Sequence, residues 1–141
     1  MKYRKLHEYK YLLEDVELVE INTQVEVIGQ LYFTIGFNYM VIHKGYAWDG
    51  PSGPTIDTDN FMLGSLVHDV FYQAIREGML PRSFRKTADQ EFRRICIEQG
   101  MSKFRAWYVY NAVRLFSGGS AKPEKNPRGE IVELKVVTDA C

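Results

Sequence analysis

Hydrophobic spacing changes period once along this 141-residue chain, and the change falls across a single glycine- and proline-rich stretch. Up to about Gly45 the apolar residues alternate or run in short β-branched and aromatic groups: YKYLL, VELVEI, VEVIG, QLYFTIGF and NYMVIH. Period two is the spacing of half-buried strands, so four or five short antiparallel strands are expected, turned at Asn22-Thr23, Gly29 and Gly36 to Asn38. Residues 45–59, GYAWDGPSGPTIDTD, hold three Gly and two Pro among fifteen, which predicts a long constrained loop.

Helical spacing takes over beyond it. Asp57, Thr58 or Asp59 is the expected N-cap of a first helix with Leu63, Leu66, Val67, Val70, Phe71, Ala74 and Ile75 on its apolar side and Gly78 as its stop. Pro81 and Ser83 open a second, striped by Phe84, Ala88, Phe92, Ile95 and Cys96 and ended at Gly100. Ser102 caps a third through Phe116, with Phe104, Trp107, Tyr108, Val113, Leu115 and Phe116 as its apolar positions. Strands followed by helices read as an α+β fold. One domain over 1–141 is expected: a strand-rich part at 1–45, the loop at 46–60, three helices over 61–117, then a mobile connector and a possible C-terminal strand, GEIVELKVV, in 118–141.

Charge narrows the range of functions. With 18 basic and 18 acidic side chains the formal charge is zero, leaving no global field to hold nucleic acid, so no nucleic-acid partner is expected. Cys96 and Cys141 are too few for a disulfide framework and are expected as free thiols. The N-terminus lacks a signal-peptide apolar run and no eighteen consecutive apolar residues occur, so neither a signal peptide nor a membrane span is expected.

Polar residues on apolar helix faces mark the candidate site. His68 falls on a partly apolar face of the first helix, and Asp69 is about 100° further round. Asp89 lies along the stripe that leads to Phe92 and Cys96 on the second helix. A buried carboxylate requires a partner, and His68 or Tyr72 is expected to supply it. In that constellation His68 acts as general base on a water, Asp89 sets its tautomer and steadies the imidazolium, and Tyr72 holds Asp89. Asp69 is left for a metal ion. A hard cation such as Ca²⁺ takes carboxylate and carbonyl oxygens, which W-D-G-P-S-G can turn inward, with weak affinity of roughly 10⁻⁴–10⁻³ M expected from so few charges. The Gly50 N–H can stand beside the ion as an oxyanion donor. Against this stand two structural readings, a satisfied core histidine and a loop that only turns the chain.

The run from Tyr46 to Asp89, with G-P in the loop, H-D-V-F-Y at 68–72 and T-A-D-Q-E-F at 87–92, resembles the secreted phospholipases A2. It is closer still to the disulfide-free phospholipase A2 domain of parvovirus minor capsid proteins. The resemblance implies Ca²⁺ held by Asp69 and by carbonyls of Trp48, Gly50 and Ser52, catalysis by His68, and support from Asp89 and Tyr72. Asp49 is an extra carboxylate that either adds charge to the metal site or turns outward. The N-terminal strands stand where the secreted enzymes place a helix that lines the lipid channel. D-G-P-S-G-P followed by H-D-x-x-Y also looks like an uncharacterised phage and prophage protein family, over the span from the strands to about Phe116. That similarity implies a phage or prophage product located in the host cytoplasm or on the virion.

Three readings follow. The first is Ca²⁺-dependent phospholipid ester hydrolysis at a membrane surface, with a hydrophobic approach to His68 from Phe61, Met62, Met79 and Leu80. The second is a non-catalytic phage structural or accessory protein, with virion or phage proteins as partners, that keeps the helix pair as a core. The third is a metal phosphohydrolase using His43 with His68, Asp69 and Asp89. Seven Lys and Arg between Arg82 and Arg105, against Asp89, Glu91 and Glu98, read as a solvated helix face at +4. Trp107, Tyr108 and Tyr110 read as packing.

Overall fold

The computed structural model describes residues 1–5, 11–49 and 58–121. Six short strands form in chain order: β1 (Tyr3–Lys5), β2 (Tyr11–Leu13), β3 (Glu17–Glu20), β4 (Phe33–Gly36), β5 (Tyr39–Ile42) and β6 (Ala47–Trp48). They make two antiparallel three-stranded sheets, ordered β1-β2-β6 and β3-β5-β4. Three helices follow: α1 (Asp59–Arg76), α2 (Arg85–Glu98) and α3 (Lys103–Phe116). The architecture is α+β, with the antiparallel strands ahead of the helices.

Period two is obeyed in β3, β4 and β5. Val19, Ile35 and Met40 stand in one row and Phe33 and Ile42 in the next, all facing inward and at most 5% exposed. Asn38 closes the β4–β5 hairpin at φ 63°, a left-handed conformation that Asn tolerates better than most residues. Three details differ from the expected strands. VEVIG contributes only a single bridge, Val27 to Ile35. Two strands come from weakly patterned segments: β1, where Tyr3 meets the rings of Tyr11 and Trp48 edge-on, and β6, which pairs with β2 inside the expected loop. In both, ring packing supplies what alternation does not. The expected C-terminal strand lies outside the described residues, and residues 118–121, expected as connector, form a short 3-10 turn.

Thr58 is the N-cap of α1, in extended conformation, and Gly78 at φ 79° follows the helix with backbone bonds back to its last turn. A 3-10 turn at Arg82–Phe84 leads into α2, and Gly100 at φ 99° follows its end. Ser102 caps α3 by accepting the Arg105 N–H at 3.2 Å. Twelve of the eighteen α1 residues are buried, which identifies it as a central helix and not a surface one. Leu66, Val67, Val70 and Phe71 pack on the sheet side, while Phe61 joins Phe92, Cys96, Val109 and Val113 in a second cluster on the other side. α1 and α2 approach closely at Gly64: a Cβ there would stand 2.7 Å from the Cys96 sulfur and 3.2 Å from the Phe92 carbonyl oxygen.

The buried face of α3 agrees with the expected one only at Val113. Ala106, Val109, Ala112 and Val113 face inward, whereas Phe104, Trp107, Tyr108, Leu115 and Phe116 are 49–78% exposed. The third helix carries two apolar stripes, and the one with small residues lets it lie close against α2. Trp107 and Tyr108 are therefore surface residues.

Candidate functional site

Asp89 is 0% exposed and holds three partners. The His68 ring nitrogen Nε2 lies 2.7 Å from its Oδ1, the Tyr72 hydroxyl donates to the same oxygen at 2.7 Å, and Arg114 donates to Oδ2 at 2.7 Å. His68 and Tyr72 meet because they are four apart on α1, with ring centroids 4.1 Å apart. Asp89 faces them because the α1–α2 approach sets its stripe against theirs. Arg114 comes from the last turn of α3, so all three helices converge on one carboxylate. Arg85 adds a longer bond to the Tyr72 hydroxyl at 3.4 Å.

A carboxylate only accepts hydrogen bonds, so the neutral His68 ring carries its proton on Nε2 and leaves the Nδ1 lone pair exposed to whatever lies opposite. Asp69 lies there: its Oδ1 is 4.0 Å from Nδ1, too far for a direct hydrogen bond. The other Asp69 oxygen accepts the Asp49 backbone N–H at 3.3 Å, which draws the end of β6 onto the site. Trp48 is anchored just before it, 1% exposed, with its indole N–H donating to Ser65 at 3.1 Å.

Burial pushes the Asp89 carboxyl upward, but the hydrogen bond and charge of His68 and the bonds from Tyr72 and Arg114 outweigh it and hold the group below its ordinary 3.8. Burial, reinforced by the hydrogen bond to Asp89 and its charge, raises the Tyr72 phenol above its ordinary 10.0, with Arg85 opposing. The hydrogen bond to Asp89 raises Arg114 in turn. Asp89 therefore stays ionised and Tyr72 neutral, the two states their mutual hydrogen bond requires.

The structure brings together His68, Asp69, Tyr72 and Asp89, with the Asp49 backbone beside them. Gly50 and Ser52, expected as metal ligands, lie outside the described residues. Asp49 is half-buried. The ligand oxygen in view is the Asp69 carboxylate, of the kind a hard cation takes, and the adjoining backbone meets it with the Asp49 N–H, a donor and not a ligand. Among the described residues no cluster of three or more His, Cys, Asp or Glu side chains is arranged to hold a metal ion. His43 is exposed at the end of β5, its backbone bonded to Tyr32. The expected apolar approach is not formed as described: Phe61, Met62 and Leu80 are 1–6% exposed, committed to the core, and Met79 is half-buried. A cleft of about 370 Å³ runs past Tyr3, Asp59, Met62 and Leu63, and its lining does not include His68.

The family described as Protein of unknown function (DUF1353) matches residues 26–113, more than half the chain. The chain belongs to that family. The DUF1353 match takes in His68, Asp69, Tyr72 and Asp89 and stops one residue short of Arg114. Neither the curated proteins nor the solved structures contain a match to the chain.

Arg114 was not legible in the sequence as a site residue. Its one signal is a cation in the last turn of a helix, where it also suits the helix dipole. Part of the expected solvated cationic face is likewise structural. Arg94 grips Glu91 at 2.6 Å, Glu98 at 2.6 Å and the Glu20 carbonyl at 3.1 Å, and Glu91, 5% exposed, accepts the Asn22 N–H.

Proposed function

We propose that this DUF1353 chain is a hydrolase acting on phospholipid esters with Ca²⁺, in which His68 activates a water molecule. The observation that carries the proposal is the orientation of His68, with Nε2 held by a carboxylate with no exposure and Nδ1 turned toward Asp69. Nδ1 takes the proton from water, and Asp89 steadies the imidazolium that results. Tyr72 and Arg114 hold Asp89 in place, so the ring keeps one tautomer and one direction. Asp69 and carbonyls of the adjoining stretch, with Trp48, Gly50 and Ser52 as candidates and Asp49 as an added carboxylate, would hold the cation. Bound there, Ca²⁺ would supply positive charge for the oxyanion formed on the ester carbonyl. The resemblance of H-D-V-F-Y and T-A-D-Q-E-F to phospholipase A2 motifs supports this substrate class, with a membrane surface as the partner.

The test is fatty-acid release from mixed phospholipid micelles with and without Ca²⁺. His68→Gln is expected to lower release by at least 10³-fold, and Asp69→Asn to remove its dependence on Ca²⁺. Release that His68→Gln leaves unchanged rejects the proposal.

One observation favours a second reading. His68 is only 6% exposed, walled by Tyr72 and Phe92. In that reading the network is a polar core of a non-catalytic accessory protein, of phage type, with virion or phage proteins as partners. It predicts no release from any lipid at any Ca²⁺ concentration, and a large loss of stability in His68→Gln.

A further inference from the structure

The zero net charge of the chain is the sum of two opposed poles. Residues 14–43 contain five acidic side chains and no Lys or Arg, while residues 81–116 contain eight basic and three acidic ones. Each pole carries an apolar surface that no other described residue covers.

On the acidic pole it is the outer face of the β3-β5-β4 sheet. Register places Leu18 and Thr34 beside Val41, and Glu20 and Gly36 beside Tyr39, on that face; Val16 and Tyr32 lie just ahead of β3 and β4, two residues before Leu18 and Thr34. Leu18 is 70% exposed, Val16 60%, Tyr39 44% and Tyr32 42%. An ordinary half-buried strand turns polar residues outward, and here Leu18, Val41 and Tyr39 take that side beside Glu20 and Thr34. On the basic pole it is the outer stripe of α3: Phe104, Trp107, Tyr108 and Leu115, at helical spacing, beside Lys103 and Arg105 on a helix with no acidic residue.

We infer that the two surfaces bind each other between copies, the α3 stripe of one chain lying across the outer face of the β3-β5-β4 sheet of the next. An apolar helix stripe and an apolar sheet face are natural packing partners, and here the charges around them are complementary. An anionic lipid bilayer would account for α3 alone and would repel the acidic sheet. A second copy covers both surfaces with one kind of contact. Because the joined surfaces differ, the contact is head-to-tail and propagates to a ring or a filament. The inference does not depend on turnover at His68.

The experiment is sedimentation velocity on the full chain and two variants, Leu18→Lys on the sheet face and Trp107→Glu on α3. Both positions are exposed, and circular dichroism confirms that each variant folds. The wild type is expected to form species larger than a dimer as concentration rises, with salt weakening them. Each variant alone is expected to be monomeric, and an equal mixture to form a 1:1 pair and nothing larger, since one intact face of each kind remains. A wild type that is monomeric at several hundred micromolar overturns the inference. So does assembly that stops at a symmetric dimer, or a mixture that does not pair. Monomers that instead co-sediment with phosphatidylglycerol vesicles in a manner lost in Trp107→Glu assign the α3 stripe to a membrane and equally overturn it.

Discussion

Asp89 is the carboxylate on which side chains of α1 and α3 converge. Its charge is removed from water and compensated by three donors, so deleting it leaves Arg114 and His68 facing a neutral group in the interior. Breaking a buried pair of this kind costs about 3–5 kcal/mol, and Asp89→Asn is expected to lose on the order of 3 kcal/mol in urea denaturation. Arg114 is a third exposed on its side chain, so Arg114→Met is expected to cost only about 1 kcal/mol. The pH dependence follows from the depressed carboxyl. Asp89 binds a proton less readily in the folded than in the unfolded chain, so its contribution is full above the ordinary 3.8 and lost as pH falls through the lower folded value. Stability measured between pH 5 and pH 2 is expected to fall more steeply in the wild type than in Asp89→Asn. The need of Asp89 for His68 or Tyr72 could be read from helical spacing alone, because a carboxylate on an apolar stripe must be compensated. Arg114 could not, because its position depends on how α3 crosses α2, which no local pattern encodes.

At the scale of elements, α1 and α2 meet at Gly64, and their contact sets the distance from His68 to Asp89. Replacing Gly64 by Ala gains up to about 1 kcal/mol of helix propensity. It also places a methyl group 2.7 Å from the Cys96 sulfur and 3.2 Å from the Phe92 carbonyl oxygen, which only a shift of α2 relieves. Overpacking of this kind typically costs 1–3 kcal/mol, so a net loss on the order of 1–2 kcal/mol is expected in thermal unfolding. Helix positions were legible because Gly78, Gly100 and Ser102 are terminus signals with a local mechanism. The packed face of α3 was not, because Ala106, Val109, Ala112 and Val113 form a stripe as regular as the large aromatic one. Close approach to α2 favoured the smaller residues. β1 and β6 escaped for a similar reason, since two- and three-residue strands carry too little alternation to read.

Across the whole molecule, the sheets and the helices are joined at α1 by apolar packing and at α2 by a polar clasp. Glu91 receives the Asn22 N–H at 3.0 Å, and Arg94 ties Glu91 to the Glu20 carbonyl. Glu91→Ala removes the acceptor at both points and is expected to cost on the order of 2 kcal/mol. Native-state hydrogen exchange should show the loss as earlier opening of β3, with α1 little changed, because α1 is held independently by both apolar clusters. The two tryptophans carry a further consequence. Trp48 is 1% exposed, packed edge-on with Tyr3 and at a tilt with Tyr11 one residue before Asp49, and Trp107 is 54% exposed on α3. The chain thus contains two optical reporters of different colour: a blue-emitting indole beside the candidate site, and a red-emitting one on the exposed stripe of α3. A change at either place can be followed in the unlabelled protein, each in its own part of the emission band.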